Sequence, residues 1–390
     1  MKIYSIGEVG KVISGGTPNT KDPDNFGGDI AWLTPADLSG YVEKYISHGA
    51  RNLTQKGYRS CSAHIMPAGS VLFSSRAPIG YVAIAQNPLC TNQGFKSVVP
   101  NTSIDSEFLY YQLLYLKKSI QEMGSGTTFK EISAKRFSSI KIVVPSLEEQ
   151  RRIVSRIEEL LSQLDSGVET LNTVKRQLSA YRQAVLKDTF LSCPCMVPLQ
   201  SVCQHITDGD HMPPPKSSSG VPFIMISNIH DNVIDWSNTA HVGRDYFDNI
   251  DYKRKPQKGD VLYTVTGSFG IPVMVDFDRE FCFQRHIALL RPKDSLNQRF
   301  LFYALQSPIV YAQANEKATG TAQKTVGLGV LRKISIPFFE GLEKQKAISF
   351  DIERKLSICQ NIEQTVNAAV QQSEAMRQSI LKRAFEENLL

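Results

Sequence analysis

Pro145-Ser146-Leu147-Glu148-Glu149-Gln150-Arg151-Arg152-Ile153 opens the stretch that decides how this chain is organised. An amphipathic segment follows, with apolar or near-apolar residues at Ile153, Ile157, Leu160, Leu164, Leu171, Val174, Leu178, Tyr181 and Val185. Gly167 or its neighbour Val168 fills the one gap. Steps of four and three alternate, which is the seam of a coiled coil, because 3.5-residue spacing keeps one stripe facing a partner helix. As a single helix, residues 147–190 would extend roughly 66 Å. A long core helix inside one domain is the competing reading, yet few globular helices keep such a seam without a cap.

The partner stripe is found in the same chain, because the sequence is one pattern written twice. Leu147-Glu148, Gln150 and Ile153 recur at a constant offset as Leu342-Glu343, Gln345 and Ile348. With no gap, Ile157 meets Ile352, Glu158 meets Glu353, Leu186-Lys187 meets Leu381-Lys382 and Phe190 meets Phe385. Ungapped agreement suits a helix, where one inserted residue turns the apolar face by about 100°. The blocks before each helix also align, with small shifts of offset. Gly69–Phe73 matches Gly259–Tyr263, Gly80 matches Gly270, and Gln93 is paired with Gln284. Phe108–Tyr111 matches Phe300–Tyr303, and Gly126-Thr127 matches Gly320-Thr321.

Within each block, β-branched and aromatic runs alternate with Gly, Pro and Asn punctuation and read as strands. Such runs are 70–74, 82–85, 97–99, 261–265 and 287–290, while 108–123 and 300–314 carry helical spacing. The expected fold is α+β, with two similar domains, 1–146 and 191–341, separated by two long helices, 147–190 and 342–390. Chain order makes the helices an antiparallel coiled coil and the whole a pseudo-two-fold internal repeat. Burial at roughly 25 cal/mol per Å² favours pairing the two stripes. The second seam is Ile348, Ile352, Lys355, Cys359, Ile362, Val366, Ala369, Ser373, Met376 and Ile380, softer than a standard zipper.

The chain of 390 residues carries 42% hydrophobic residues, enough for real cores. No apolar run reaches the roughly 18 residues a membrane span needs, so a soluble, cytoplasmic protein is expected. Seven scattered cysteines fit a reducing compartment, and the spacing of Cys193, Cys195, Cys203 and His205 matches no standard zinc finger. The net charge of +6 lies mostly in residues 1–146, which permits nucleic-acid binding without demanding it. There is no phosphate-binding loop, nucleophile elbow or zinc-protease motif, and no Asn-Pro-Pro-aromatic or Asp-Pro-Pro-aromatic tetrapeptide. Gly124-Ser125-Gly126 follows a helical segment instead of joining a strand to a helix, and reads as a turn. Nothing in these residues requires catalysis.

The pattern Pro145-x-Leu147-x-Glu149-Gln150-x-x-Ile153 opening a long helix after each of two variable domains resembles the DNA-specificity subunit of type I restriction–modification enzymes. Gly15-Gly16-Thr17-Pro18 and Thr207-Asp208-Gly209-x-His211 carry the same resemblance, which covers essentially the whole chain. Lys344 stands where Glu149 does in the first copy, and Pro337 lies earlier relative to its helix than Pro145. The resemblance implies a non-catalytic subunit in which each target-recognition domain reads one half of a bipartite, asymmetric site on double-stranded DNA. It implies two DNA methyltransferase (modification) subunits as partners and, in systems that carry them, two restriction (motor-nuclease) subunits. S-adenosylmethionine and ATP/Mg would belong to those partners, and this chain would hold no cofactor and no metal.

Residues common to both halves cannot explain different half-sites and suit phosphate contacts, whereas matched positions that differ suit base reading. Thr127 and Lys130, with Thr321 and Lys324, are therefore phosphate-side candidates, and Thr128 and Gln323 beside them are further DNA-binding candidates. Ser74, Ser75 and Arg76, set against Thr264 and Thr266, are candidates for readout. Arg285 joins them, with Gly94 taken as its equivalent. Glu149, Gln150, Arg151, Arg152 and Gln345 are candidates for docking the methyltransferase. Two rival classes remain: a non-DNA protein-interaction scaffold with two binding domains on a coiled-coil rod, and an unfamiliar enzyme using Asp208, Asp210 and His211.

Overall fold

The computed structural model describes residues 2–125, 130–212, 214–215, 217–321 and 323–386. The chain divides into two compact units, Met1–Leu171 with Ala368–Leu390, and Asn172–Asn367. Each unit contains one α+β block and a part of both long helices.

In the first unit a five-stranded sheet runs in the order Gly10–Ser14, Lys96–Pro100, Val71–Ser75, Ile79–Ala85 and Tyr45–Ile46, antiparallel except at its last pair. The second unit has an antiparallel sheet in the corresponding order Cys203–Asp208, Ile287–Pro292, Val261–Thr264 and Pro272–Met274. Beside it lies a short parallel pair, Val221–Ile224 with Cys282–Phe283, matching Trp32–Leu33 with Cys90–Thr91 in the first unit. The start and end of each block are tied together by one antiparallel pair, Lys2–Ser5 with Lys141–Val144 and Cys195–Pro198 with Ser335–Phe338. Those pairs launch the long helices.

The central strands Val71–Ser75 and Val261–Thr264 are wholly buried, in keeping with apolar runs covered on both faces. Helix Ser106–Glu122 is capped by Asp105, whose side chain accepts from the backbone N–H groups of Glu107 and Phe108. Its counterpart is broken. Gln298–Gln306 and Pro308–Lys317 are separate helices, because a proline withholds its N–H and pushes Ser307 to extended backbone (ψ 143°). The single helix expected over 300–314 is corrected accordingly.

The long helices span Leu147–Leu191 and Leu342–Glu386, 45 residues each. Within each unit they pair antiparallel: Asp165 forms an ion pair with Arg377 in the first, and Arg182 with Glu363 at 2.7 Å in the second. The second helix buries residues at heptad intervals, Gln345, Ile352, Cys359, Val366 and Ser373, and also Ser349, Leu381 and Ala384. The intervening positions are looser, with Ile362 and Met376 exposed, as is Tyr181 of the first seam, so those three expected seam residues do not fill it. Val168, half-buried, takes the gap beside exposed Gly167.

Each α+β block is gripped at two places on the same pattern. Phe190, at the end of the first long helix, meets Phe300 edge-on at 5.6 Å in the second unit. Phe385, at the matched place on the second helix, meets Phe108 edge-on at 5.5 Å in the first. The other grip is the buried glutamine near the start of each long helix. Gln150 Oε1 accepts from the Asp105 N–H (2.8 Å) while its amide donates to the Ser103 and Pro145 carbonyls. Gln345 repeats this with the Asn297 N–H (2.7 Å) and the Ser295 and Phe339 carbonyls. Both glutamines have no accessible surface. The expectation that they dock a partner is corrected: they lock each helix to the N-terminus of its own block's helix.

Candidate nucleic-acid interface

Three loops converge at one end of each sheet, held by the same backbone hydrogen bonds in both units. The first is the turn after the central strand. Ser74 Oγ donates to the Pro78 carbonyl and accepts from the Tyr81 N–H, and Thr264 Oγ1 does the same with Ser268 and Ile271. Ser75 Oγ donates to the Gly94 carbonyl. All three hydroxyls are buried and spent on backbone, so Ser74, Ser75 and Thr264 shape the turn and are corrected as base-reading candidates. Gly80 and Gly270 turn the chain with φ of +104° and +95°, a region that side chains with a Cβ rarely adopt.

The second is a hairpin loop packed against that turn. Ser125 and Glu131 exchange backbone hydrogen bonds in the first unit, as Thr319 and Thr325 do in the second. Ile132 N–H donates to the Ser75 carbonyl, and Val326 N–H to that of Val265. Lys130 is exposed, as are Thr321, Gln323 and Lys324; Lys324 Nζ donates to Asn315 Oδ1 at 3.1 Å. Thr127 and Thr128 lie outside the described residues. Arg76 is half-buried and lies 3.7 Å from Glu131, which Lys96 also approaches at 3.5 Å. Thr266, its counterpart, is buried and accepts from the Thr325 hydroxyl at 3.4 Å, and its burial corrects it as a reading residue.

The third loop joins the short parallel strand to the sheet, beside the glycine turn near the start of each block. Gly15 and Gly209 lie so close to it that a Cβ would sit 2.0 Å from the Asn92 carbonyl oxygen and 1.9 Å from that of Phe283. The hydrogen bonds fix how the two copies correspond. Asn92 N–H donates to Leu33 and Gln284 N–H to Ile224. Phe95 N–H closes on the Asn92 carbonyl and Ile287 N–H on that of Gln284, while Ser75 N–H donates to Gly94 and Val265 N–H to His286. Asn92 therefore matches Gln284, Gln93 matches Arg285 and Gly94 matches His286. The sequence pairing of Gln93 with Gln284, and of Gly94 with Arg285, is one residue out of register.

Gln93 and Arg285 are both exposed. Gln93 Oε1 accepts from Thr17 Oγ1. Arg285 makes no ion pair among the described residues and stands at the rim of a cleft of about 280 Å³ with Met212, Phe223, Met225, His241 and His286. Burial, and then the adjacent Arg285 charge, hold His286 below its ordinary 6.5, so it is neutral at pH 7. The nearby acids are engaged: Asp208 lies 2.9 Å from His211 Nε2 and 3.7 Å from Arg254, and Asp210 accepts from the Tyr246 hydroxyl. No group of three or more His, Cys, Asp or Glu able to hold a metal occurs among the described residues.

Away from the loops, Arg151 and Arg152 are exposed, and Glu149 is half-buried with its N–H donating to Ser146 Oγ at 3.3 Å. Glu158 pairs with Lys44, which also binds Glu107. Its matched residue Glu353 pairs with Arg299. Lys344 lies over the Phe339 ring at 4.9 Å, which accounts for a cation where the first copy has Glu149.

A family model described as the type I restriction modification DNA specificity domain matches residues 1–178 and again residues 198–372. The chain belongs to that family. Among curated members, the Type I restriction enzyme MjaIX specificity subunit of Methanocaldococcus jannaschii is 39% identical over 191 residues, 48% of this chain. That match spans 43% of the relative, less than half of its length. The MjaVIII specificity subunit of the same organism is 24% identical over 93% of this chain and 87% of its own. The EcoBI specificity subunit of Escherichia coli is 25% identical over 74% of this chain and 67% of its own. Two solved structures share the fold. A chain from a study of complex assembly and conformational transition of the type I R-M system superposes with a TM-score of 0.75 (19% identity), covering 100% of this chain and 98% of that one. The HsdS subunit from Thermoanaerobacter tengcongensis superposes at 0.56 (18% identity), covering 100% and 97%.

Gln93 and the roles of Gln150, Gln345 and Lys44 were missed in the sequence. Only hydrogen-bond register identifies the first, and only a long-range contact identifies the rest.

Proposed function

We propose that this chain is the DNA-binding specificity subunit of a type I restriction–modification complex, reading a bipartite, asymmetric site with one half-site per recognition domain. The recognition domains are residues 1–146 and 191–341, and the spacer helices are residues 147–190 and 342–390. The observation carrying this reading is the duplicated end of the sheet: one set of backbone hydrogen bonds, two sets of side chains. A shared frame gives a shared docking geometry on phosphates, to which Lys130, Lys324 and Thr321 contribute, with Gln323 a further DNA-binding candidate. Differing tips give different half-sites, with Arg76 and Arg285 among the readers. Thr127 and Thr128 are further candidates for DNA contact by the first unit.

In this reading the chain is not itself catalytic. Two methyltransferase subunits dock on the long helices, near Glu149, Arg151 and Arg152, and bring S-adenosylmethionine. Restriction subunits, where the system has them, bring ATP and Mg. Among the described residues no helix is long and apolar enough to cross a membrane; in this reading the complex works in the cytoplasm.

The test is binding of duplex DNA by the chain assembled with its methyltransferase, titrated against salt and against sequence. The expected result is tight, salt-dependent binding confined to one two-part sequence. Sequence-independent binding, or none, rejects the reading and favours a protein-interaction scaffold.

A further inference from the structure

Gln93 and Arg285 occupy one position in two copies of the same loop, and that position differs in a chemically legible way. Both side chains stand on rigid backbone. In the second unit the Arg285 N–H donates to the Asp210 carbonyl at 3.1 Å, and its neighbours are tied to Ile224 on one side and Val265 on the other. In the first unit Asn92 is tied to Leu33, and Gly94 to Ser75 and to the Asn92 side chain. Neither side chain is consumed by the fold. Arg285 has no ion pair among the described residues, and the Gln93 amide is held only at Oε1, by the Thr17 hydroxyl. One lone pair of that oxygen and both amide hydrogens stay available. Each residue adjoins the turn and the hairpin loop that bring the other candidates together.

In the major groove an arginine fits the two acceptors of guanine, O6 and N7, while a glutamine fits the donor–acceptor pair of adenine, N6 and N7. We infer that Gln93 and Arg285 are one base-reading position used twice, Gln93 taking adenine in the half-site of the first unit and Arg285 guanine in that of the second. The Thr17 hydroxyl donates to Oε1 and so fixes which end of that amide is oxygen and which is NH2. The inference rests on the DNA-specificity reading above and adds to it two named bases at equivalent places.

The experiment exchanges the side chains in the full chain, co-produced with its methyltransferase, and reads the methylated sequence across host genomic DNA. With the unaltered chain, the first unit's half-site contains adenine and the second's guanine at the corresponding position. Arg285→Gln changes that guanine to adenine and leaves the other half-site intact; Gln93→Arg changes the adenine to guanine. Arg285→Ala lowers the preference for guanine roughly 5- to 150-fold at that one position. The inference is overturned if Arg285→Gln leaves every base unchanged, or if it lowers methylation at all sites without changing a base. Complete loss of methylation by a variant that melts normally and still assembles overturns it too. Should an exchange variant not fold, the alanine truncations Arg285→Ala and Gln93→Ala decide, since each only shortens an exposed side chain. A two-part motif for the unaltered chain alongside unchanged variants sinks this inference alone. The absence of any two-part motif sinks the specificity-subunit reading itself.

Discussion

Replacing Gln345 by leucine tests the proposition that the glutamine of the repeated helix opening is a structural lock and not a docking residue. The side chain is fully buried and makes three hydrogen bonds, from the Asn297 N–H (2.7 Å) and to the carbonyls of Ser295 (3.1 Å) and Phe339 (2.8 Å). Leucine keeps much of the volume but leaves three backbone groups without that partner. A buried unsatisfied group costs about 1–3 kcal/mol, and local rearrangement admits water to some of them, so the net loss is about 3 kcal/mol. For a unit of this size each kcal/mol lowers the melting temperature by about 2–4 °C, giving a drop of roughly 6–12 °C. Differential scanning calorimetry of Gln345→Leu and the matched Gln150→Leu measures it. Hydrogen exchange should also quicken at the start of helix Gln298–Gln306 in the first variant and of Ser106–Glu122 in the second. Unchanged melting combined with lost methyltransferase assembly would refute the reasoning and restore the docking role.

Lys130→Ala and Lys324→Ala should each weaken binding at every sequence alike and lower the salt slope by about one, as read by anisotropy titrations at several salt concentrations; an unchanged slope removes that lysine from the phosphate contacts. Glu107 gives a pH signature. Burial would raise its carboxyl, but hydrogen bonds from Lys44 and Tyr45 outweigh that and hold it below the usual 4.5. A depressed carboxylate contributes stability that is complete above its unfolded value and is lost as pH falls through the lower folded one. Melting temperatures should therefore fall more steeply between about pH 5 and pH 3 in the unaltered chain than in Glu107→Gln; parallel curves count against the latch. Seven residues, two helical turns, inserted into each long helix near Thr173 and Ala368 should change the gap between half-sites and leave the half-sites themselves intact. A methylation motif with altered bases and an unaltered gap contradicts the spacer role.

The repeat was legible because the long helices tolerate no insertion: Leu147 through Phe190 and Leu342 through Phe385 stay in register residue by residue. That register implied two matched long helices, chain order made them antiparallel, and the strand-like runs between them gave the α+β blocks. The loops were less legible because their offset drifts, and chance identity then misleads. Gln93 and Gln284 look like a match, yet backbone hydrogen bonds pair Gln93 with Arg285. Hydroxyls were also overrated as readers. Ser74 and Thr264 lie at the ends of the central strands and differ between copies, but both are needed to satisfy a tight turn. Gln150 and Gln345 looked like surface polar residues on a helix. Their burial depends on helix N-termini more than forty positions earlier in the chain, which no local pattern reveals. Pro308, by contrast, was a readable break in a segment whose apolar spacing ran on past it.

In the proposed function one chain reads two different half-sites at a set spacing. The most direct measurement is the methylated sequence in genomic DNA of a host carrying this chain and its methyltransferase, read at single-base resolution. One motif made of two unrelated short halves separated by a fixed run of unread bases is expected. An uninterrupted motif, or methylation that does not change when this chain is removed, would contradict it.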